Sequence, residues 1–274
     1  VTETNGWGKV GISVLAAAAS AAPRQAGVYL FLDQNSEVLY VGKAGNLRQR
    51  LRQHAATKRP ESPRDHKYDL VRRVVWEIAV SEEAAAWREE DLIFALRPLF
   101  NGNLDDRAPD LVGKDTHVPY IIVAEVAGTL SLTLEPDLPS TGRAYGCFPR
   151  LGKGMGSRLG IACSDGYTAL LRLLWAAAGN GTHVPASITR SAPPSFTVPV
   201  PSALRDGLHR FLSGTRSRLA DELLLAASHR PEFMHPALCR DTEAALQFFA
   251  AGPQLVRTCR LHHRIRGRVL DVET

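Results

Sequence analysis

The stretch Gly27-Val28-Tyr29-Leu30-Phe31-Leu32-Asp33-Gln34-Asn35-Ser36-Glu37-Val38-Leu39-Tyr40-Val41-Gly42-Lys43 decides the fold. Two apolar runs, Val28 to Leu32 and Val38 to Val41, are joined by the turn-forming Asp33-Gln34-Asn35-Ser36, so the segment reads as two strands, each carrying a tyrosine. Working outward, Asn46 is a good N-cap and opens a basic helix that runs to about Ala56. A polar, proline-punctuated loop is expected from Thr57 to Asp69, then a third strand from Val74 to Val80. Ser81 caps a helix that carries Glu82 and Glu83 in its first turn, where the helix dipole favours acids, and that ends before Pro98. This order predicts an α+β unit over residues 1–103, a small three-stranded antiparallel sheet with flanking helices.

Residues 104–274 read as a second region. A polar linker, Gly102 to Lys114, leads to a small β segment made of Pro119 to Ala124 and Thr129 to Leu134. A glycine-rich loop is expected from Gly142 to Gly160, a helix from Tyr167 to Ala178, and a Pro/Ser/Thr-rich loop from Thr182 to Pro201. A helical tail covers Leu204 to about Arg264. No internal repeat is visible.

The 274 residues are 45% hydrophobic, enough for at least one real core. No apolar run reaches the ~20 residues of a membrane span, and the Ala-rich Val14 to Ala22 is too short and lacks a basic leader, so a cytoplasmic protein is expected. Cys147, Cys163, Cys239 and Cys259 are widely spaced with no C-x-x-C pair, which argues against a zinc site or a disulfide framework. Net charge is only +5, but it is unevenly spread: residues 41–80 hold ten Lys/Arg against four acids. A polyanion is the natural partner there, with Arg48, Arg52, Lys58 and Arg59 as expected DNA contacts. From Arg205 to Arg268, eleven arginines and no lysine stand against six acids, a second weakly basic surface suited to forked contacts with phosphate.

In the helix after Ser81, Ala85, Leu92, Ile93 and Leu96 form the apolar stripe, and Glu89 falls on it while Glu90 and Asp91 point elsewhere. A core-facing carboxylate requires a cation or hydrogen-bonding partner. A structural ion pair with an arginine would satisfy that demand as well as a functional site would. In the basic helix Leu47, Leu51 and Ala55 form the buried row, with Asn46, Arg50 and His54 beside it. If both helices pack on the same sheet, Arg50 and Glu89 flank Tyr29 and Tyr40. A phenol is a poor base near neutral pH, so a proton-accepting tyrosine needs cations beside it, and Lys43 and Arg50 are close in sequence to Tyr40.

Gly27-Val28-Tyr29, Tyr40-Val41-Gly42-Lys43-Ala44, Asn46-Leu47-Arg48-Gln49-Arg50-Leu51, Glu89-Glu90-Asp91-Leu92-Ile93 and Arg97-Pro98-Leu99-Phe100-Asn101 resemble, in order, the motifs of the GIY-YIG nuclease superfamily. Within it they are most similar to the amino-terminal nuclease of the UvrC family and its shorter Cho-like members. The resemblance implies that Tyr29 and Tyr40 are the two motif tyrosines, Lys43 the lysine after the second motif, and Arg50 the catalytic arginine. It likewise makes Glu89 the metal-binding glutamate and Asn101 the terminal asparagine, with His54 standing where the UvrC type often has tyrosine. Pro119-Tyr120-Ile121, Ala144-Tyr145-Gly146-Cys147-Phe148-Pro149 and Phe211-Leu212-Ser213-Gly214 resemble segments of the UvrC linker region. Phe233 to Asp241 resembles a degenerate UVR motif, the hairpin through which UvrC meets UvrB, although Pro236 lies inside it. A UvrB-like helicase is thus an implied partner, and no iron–sulfur cluster is expected because the clustered cysteines of many UvrC proteins are missing.

Phosphodiester hydrolysis demands barrier lowering on the order of 20 kcal/mol, more than positioning alone delivers, so a metal is expected. The expected ion is one Mg²⁺ or Mn²⁺ held by Glu89 with water completing its shell. The function implied is a metal-dependent DNA endonuclease making a single-strand incision in damaged or distorted duplex, in nucleotide excision repair. The alternatives are a stand-alone GIY-YIG endonuclease of defence or DNA mobility, and a non-catalytic DNA-binding or partner-binding module.

Overall fold

A computed structural model describes residues 9–57, 63–101, 120–126, 128–135, 137–138, 142–146, 148, 157–179, 181–190, 192–267 and 269. In chain order its elements begin with helix α1 (Lys9–Ala21), strands β1 (Gly27–Leu32) and β2 (Val38–Ala44), helices α2 (Leu47–Ala55) and α3 (Lys67–Leu70), strand β3 (Arg73–Ile78) and helix α4 (Glu82–Leu96). There follow β4 (Tyr120–Val126), β5 (Thr129–Glu135), β6 (Arg143–Tyr145), α5 (Ser157–Ala178), α6 (Ala186–Thr189) and β7 (Ser195–Val198). Helices α7 (Ser202–Leu212), α8 (Leu219–Ala226), α9 (His235–Phe249) and α10 (Leu255–His262) close the order. The expected contacts Lys58 and Arg59 and the whole of the expected linker, Gly102 to Lys114, lie outside the described residues.

The chain divides into two compact units, residues 1–106 with 183–190, and residues 107–182 with 191–274. The first holds a three-stranded antiparallel sheet in the order β2-β1-β3, with Tyr29 opposite Gly42 and Phe31 opposite Tyr40. Side chains alternate across a strand, so Tyr29, Phe31 and Tyr40 share one face and Val28, Val41 and Lys43 the other. The first face forms a core with Leu15 and Ala19 of α1, Leu47 and Leu51 of α2, and Tyr68 of α3. Helix α4 contacts β1 and β2, and its Glu89 pairs with Lys43 on the second face.

The α1 helix was not part of the expected order. Its Ala-rich sequence has high helix propensity, and Leu15, Ala19 and Ala22 recur at one-turn spacing as a buried stripe while Ala16, Ala17, Ser20 and Ala21 stay exposed. The expected loop from Thr57 to Asp69 instead ends in a 3₁₀ turn and α3, which carry Lys67 and Tyr68 into the core. The expected stripe of α4 is too narrow: Glu90, Asp91, Phe94 and Ala95 are buried too, and Leu96 is exposed. The cause is α6, which packs on a further face of α4 within the first unit, so a helix read as one-sided is covered on two sides.

The second unit has a four-stranded antiparallel sheet in the order β6-β4-β5-β7 and a helical layer in which α5 packs on α8 and α9. Strand β6 falls in the expected glycine-rich loop, α5 starts ten residues before the expected helix, and β7 occupies part of the Pro/Ser/Thr-rich segment. Arg230 closes the end of α5 by donating to the carbonyls of Trp175, Ala176 and Gly181 at 3.0, 3.1 and 2.6 Å. Arg172 and Asp241 form a buried pair, Nη2 to Oδ1 2.6 Å and Nε to Oδ2 2.9 Å, that joins α5 to α9. Among the described residues, no helix is long and apolar enough to cross a membrane.

Removing one partner of such a pair leaves a buried charge, whereas replacing both with apolar residues of similar volume does not. Asp241→Ala is expected to lower stability by about 3 to 5 kcal/mol, and Arg172→Met with Asp241→Leu to recover most of that loss. Urea unfolding of the three proteins, compared at equal m-value, provides the measurement.

Candidate active site

The site is built around β2. A Cβ at Gly42 would lie 2.5 Å from the Cζ and hydroxyl oxygen of Tyr29 and 2.9 Å from Cε1 of Tyr40, so only glycine lets both phenols approach the strand here. The two tyrosine rings are tilted, with centroids 6.1 Å apart. Tyr29 is fully buried, whereas Tyr40 is half-buried.

On the α2 face, the Tyr29 hydroxyl is 2.7 Å from Nε2 of His54, and Nδ1 of His54 is 2.7 Å from the hydroxyl of Tyr68. Arg50 donates from Nε to the Tyr29 oxygen at 3.4 Å and from Nη1 to Gln53 at 3.0 Å. The imidazole of His54 thus bridges the Tyr29 and Tyr68 hydroxyls, one ring nitrogen to each. Burial and the repulsion of Arg50 and Lys67 push His54 down from its ordinary value to about 3, so the imidazole is neutral near pH 7. Burial and the neighbouring Tyr40 push Tyr29 far upward, outweighing Arg50. Tyr68 is also raised, chiefly by burial. Lys67, itself buried, sits 4.4 Å from the Tyr68 ring centroid and 5.4 Å from that of Tyr40.

On the α4 face, Lys43 Nζ meets Glu89 Oε2 at 2.9 Å. The partner that a core-facing Glu89 required is therefore lysine rather than arginine. Its neighbours have different ones: Asp91 accepts from Val184 N at 3.1 Å and pairs with His183 Nδ1 at 2.9 Å, while Glu90 lies 3.5 Å from Arg190 Nη2. His183 also stacks on Trp87, with centroids 5.0 Å apart.

Asn101 grips the strand itself. Its Oδ1 accepts from Val41 N and its Nδ2 donates to Val41 O, both at 2.7 Å, so its amide holds the backbone between Tyr40 and Gly42. The structure thus assembles Tyr29, Tyr40, Arg50 and His54 on one face of β2, Lys43 and Glu89 on the other, and Asn101 at its edge. Arg48 is drawn away from a purely solvated role because its Nε donates to the Ala22 carbonyl at 2.7 Å, while Arg52 remains exposed. Sequence reading missed Tyr68 and Lys67, which sit in the segment taken for a loop, and no spacing signal ties either to His54.

Residues 25–102 match the family model described as the UvrC-like GIY-YIG domain. Among curated proteins it is 31% identical over 259 residues to UvrABC system protein C of Rhodopseudomonas palustris (strain ATCC BAA-98 / CGA009), covering 86% of this chain and 33% of that protein. Similarity to UvrABC system protein C of Bradyrhizobium diazoefficiens is 35% over 108 residues, covering 37% of this chain and 14% of that protein. The chain thus spans a third or less of the length of these relatives. Among solved structures, the magnesium-bound GIY-YIG N-terminal endonuclease domain of UvrC from Thermotoga maritima aligns with 26% identity over 32% of this chain and 94% of that one, with a TM-score of 0.29.

His54 supplies a pH test of the buried chain of hydrogen bonds. Its folded value lies below that of the unfolded chain, about 6.5, so between those values the unfolded state binds more protons and acid favours unfolding. Stability is expected to fall by up to about 1.4 kcal/mol per pH unit as pH drops from ~6.5 towards ~3, and His54→Asn to remove that part of the slope. Thermal unfolding of both proteins across this range measures the difference.

Proposed function

We propose that the protein is a metal-dependent DNA endonuclease that makes a single-strand incision in damaged or distorted duplex during nucleotide excision repair, acting in the cytoplasm. The observation that carries this reading is the pairing, about one strand, of a buried carboxylate held by Lys43 with an arginine-fed set of phenols and a neutral imidazole. A structural ion pair explains Glu89 and Lys43 alone; it does not explain a Tyr29–His54–Tyr68 chain beside Arg50.

Glu89 is a hard oxygen donor, and among the described residues no group of three His, Cys, Asp or Glu side chains could hold a metal. That donor set fits Mg²⁺ or Mn²⁺, which bind through one or two carboxylates and keep several waters. When bound, such an ion supplies Lewis-acid stabilisation of the leaving oxygen. In this reading Glu89 anchors the ion and Lys43 orients the carboxylate. Arg50 neutralises charge that develops on the scissile phosphate. Tyr29 stays protonated, because burial opposes its phenolate. The general base is then Tyr40, the half-buried phenol of the pair. Asn101 holds the Tyr40 backbone in register, and exposed Arg52 contributes to the DNA contact.

The name of the relatives, UvrABC system protein C, supports partners of the same system. A UvrB-like helicase would meet Phe233 to Asp241 on its outward face. Met234, Ala237, Leu238 and Asp241 are committed to the interior of the second unit, while Phe233, Pro236 and Arg240 are exposed.

Glu89→Gln is expected to lower nicking of plasmid in Mg²⁺ by at least ~100-fold while leaving DNA affinity and melting temperature close to wild type. The assay compares plain supercoiled plasmid with plasmid carrying a bulky adduct, each with and without UvrA and UvrB. A variant that nicks at the wild-type rate overturns the assignment of Glu89. Efficient nicking of undamaged plasmid without partners would favour the stand-alone nuclease.

A further inference from the structure

Two segments resembling the linker region of the family, Ala144 to Pro149 and Phe211 to Gly214, have no part in the nuclease site. In the second unit Tyr145 of the first and Ser213 of the second line one cleft of about 360 Å³. Arg143 of β6, Arg210 of α7 and Arg257 and Arg260 of α10 line it, with Asp206 the one acid among the described lining residues. Residues far apart in sequence thus bring four guanidinium groups to one concavity.

The cleft is built rather than incidental. Gly214 has φ +71°, and a Cβ there would lie 2.2 Å from the carbonyl oxygen of Pro253. Only glycine lets the turn after α7 press against the π-helical turn Ala250–Gln254, which leads directly into α10 and its two arginines. Ser213 and Thr215 donate their hydroxyls to the Arg210 carbonyl at 3.0 and 2.9 Å, which fixes the end of α7. The buried Tyr145 hydroxyl bonds to Nδ1 of His209, tying β6 to α7 beneath the arginines.

We infer that this cleft binds consecutive phosphodiester groups of a nucleic-acid strand, with Arg143, Arg210, Arg257 and Arg260 as the contacting residues. Guanidinium forks match phosphate oxygens, and arginine is less strongly hydrated than lysine. Four cations against one acid leave three positive charges, more than a single phosphate of about −2 neutralises at pH 7. Successive phosphodiesters, each carrying one negative charge, match that excess. The choice of a nucleic-acid strand rests on the DNA reading of the first unit, and the cleft gives the second unit a DNA contact of its own.

The test uses the full chain and a fluorescein-labelled 25-base-pair duplex in EDTA, with anisotropy followed from 50 to 200 mM KCl. Arg143→Gln, Arg210→Gln and Arg257→Gln are each expected to weaken binding about fivefold and to reduce the slope of log K against log[salt] by about one. Arg218→Gln, an equal charge change at an exposed residue before α8, is expected to change affinity less than twofold. Arg210→Lys, which keeps the charge, is expected to retain the wild-type salt slope and so guards against loss through misfolding. Cleft variants that bind no worse than Arg218→Gln overturn the inference. Displacement of the duplex by low-millimolar inorganic phosphate at constant ionic strength, lost in the cleft variants, would make this a free-phosphate site and also overturn it. Wild-type nicking in Mg²⁺ is read separately. Nicking with unimpaired binding by the cleft variants rejects the cleft alone; lost binding without wild-type nicking rejects the nuclease and keeps the cleft.

Discussion

The first unit depends on a buried hydrogen bond between a phenol and an imidazole. Tyr29 and His54 come from a strand and a helix 25 residues apart in sequence, and their 2.7 Å bond fixes how α2 lies on the sheet. Both groups are buried, so neither can exchange the other for solvent, and an unmatched polar group there would cost about 1 to 3 kcal/mol. Tyr68 closes the far side of the imidazole, and burial, helped by the two cations near it, keeps the ring neutral. The same contact that holds the core together therefore places Arg50 beside a phenol oxygen.

Strand β2 turns that packing into a site because its period of two gives each face a different task. Tyr40 faces the aromatic core, Lys43 faces α4, and Gly42 leaves room for the Tyr29 ring. The strand lies at the edge of its sheet, where its backbone lacks a second strand neighbour. Asn101 answers part of that lack with a paired amide clamp, returning the chain after α4 to the same strand that α4 contacts.

The hairpin, the basic helix and the helix that bears Glu89 were legible in the sequence because short-range rules govern them: turn residues, N-caps at Asn46 and Ser81, and a carboxylate on an apolar stripe. Both caps are seen, at 3.0 Å to Gln49 N and to Ala84 N. What escaped depends on partners distant in sequence. Tyr68 and Lys67 look like loop residues until the core receives them, and α1 looks like a composition until Leu15 and Ala19 have something to cover. The burial of Glu90 and Asp91 needs residues about ninety positions away, which no local pattern announces. In the second unit, β6, β7 and the first turns of α5 escaped because glycine, serine and proline mask short elements whose order comes from sheet pairing and helix packing.

The return of residues 183–190 to the first unit makes that unit discontinuous along the chain. A ribosome that has released residue 106 has not yet made the groups that cover Asp91 and Glu90, and at roughly 5 to 20 residues per second it needs about 4 to 17 s more to reach residue 190. During that interval the carboxylates of Glu90 and Asp91 lack these partners. Completion of the first unit is thus timed by synthesis of the sequence between its two pieces. A gene fragment ending near residue 106 would yield a helix α4 missing one of its two walls.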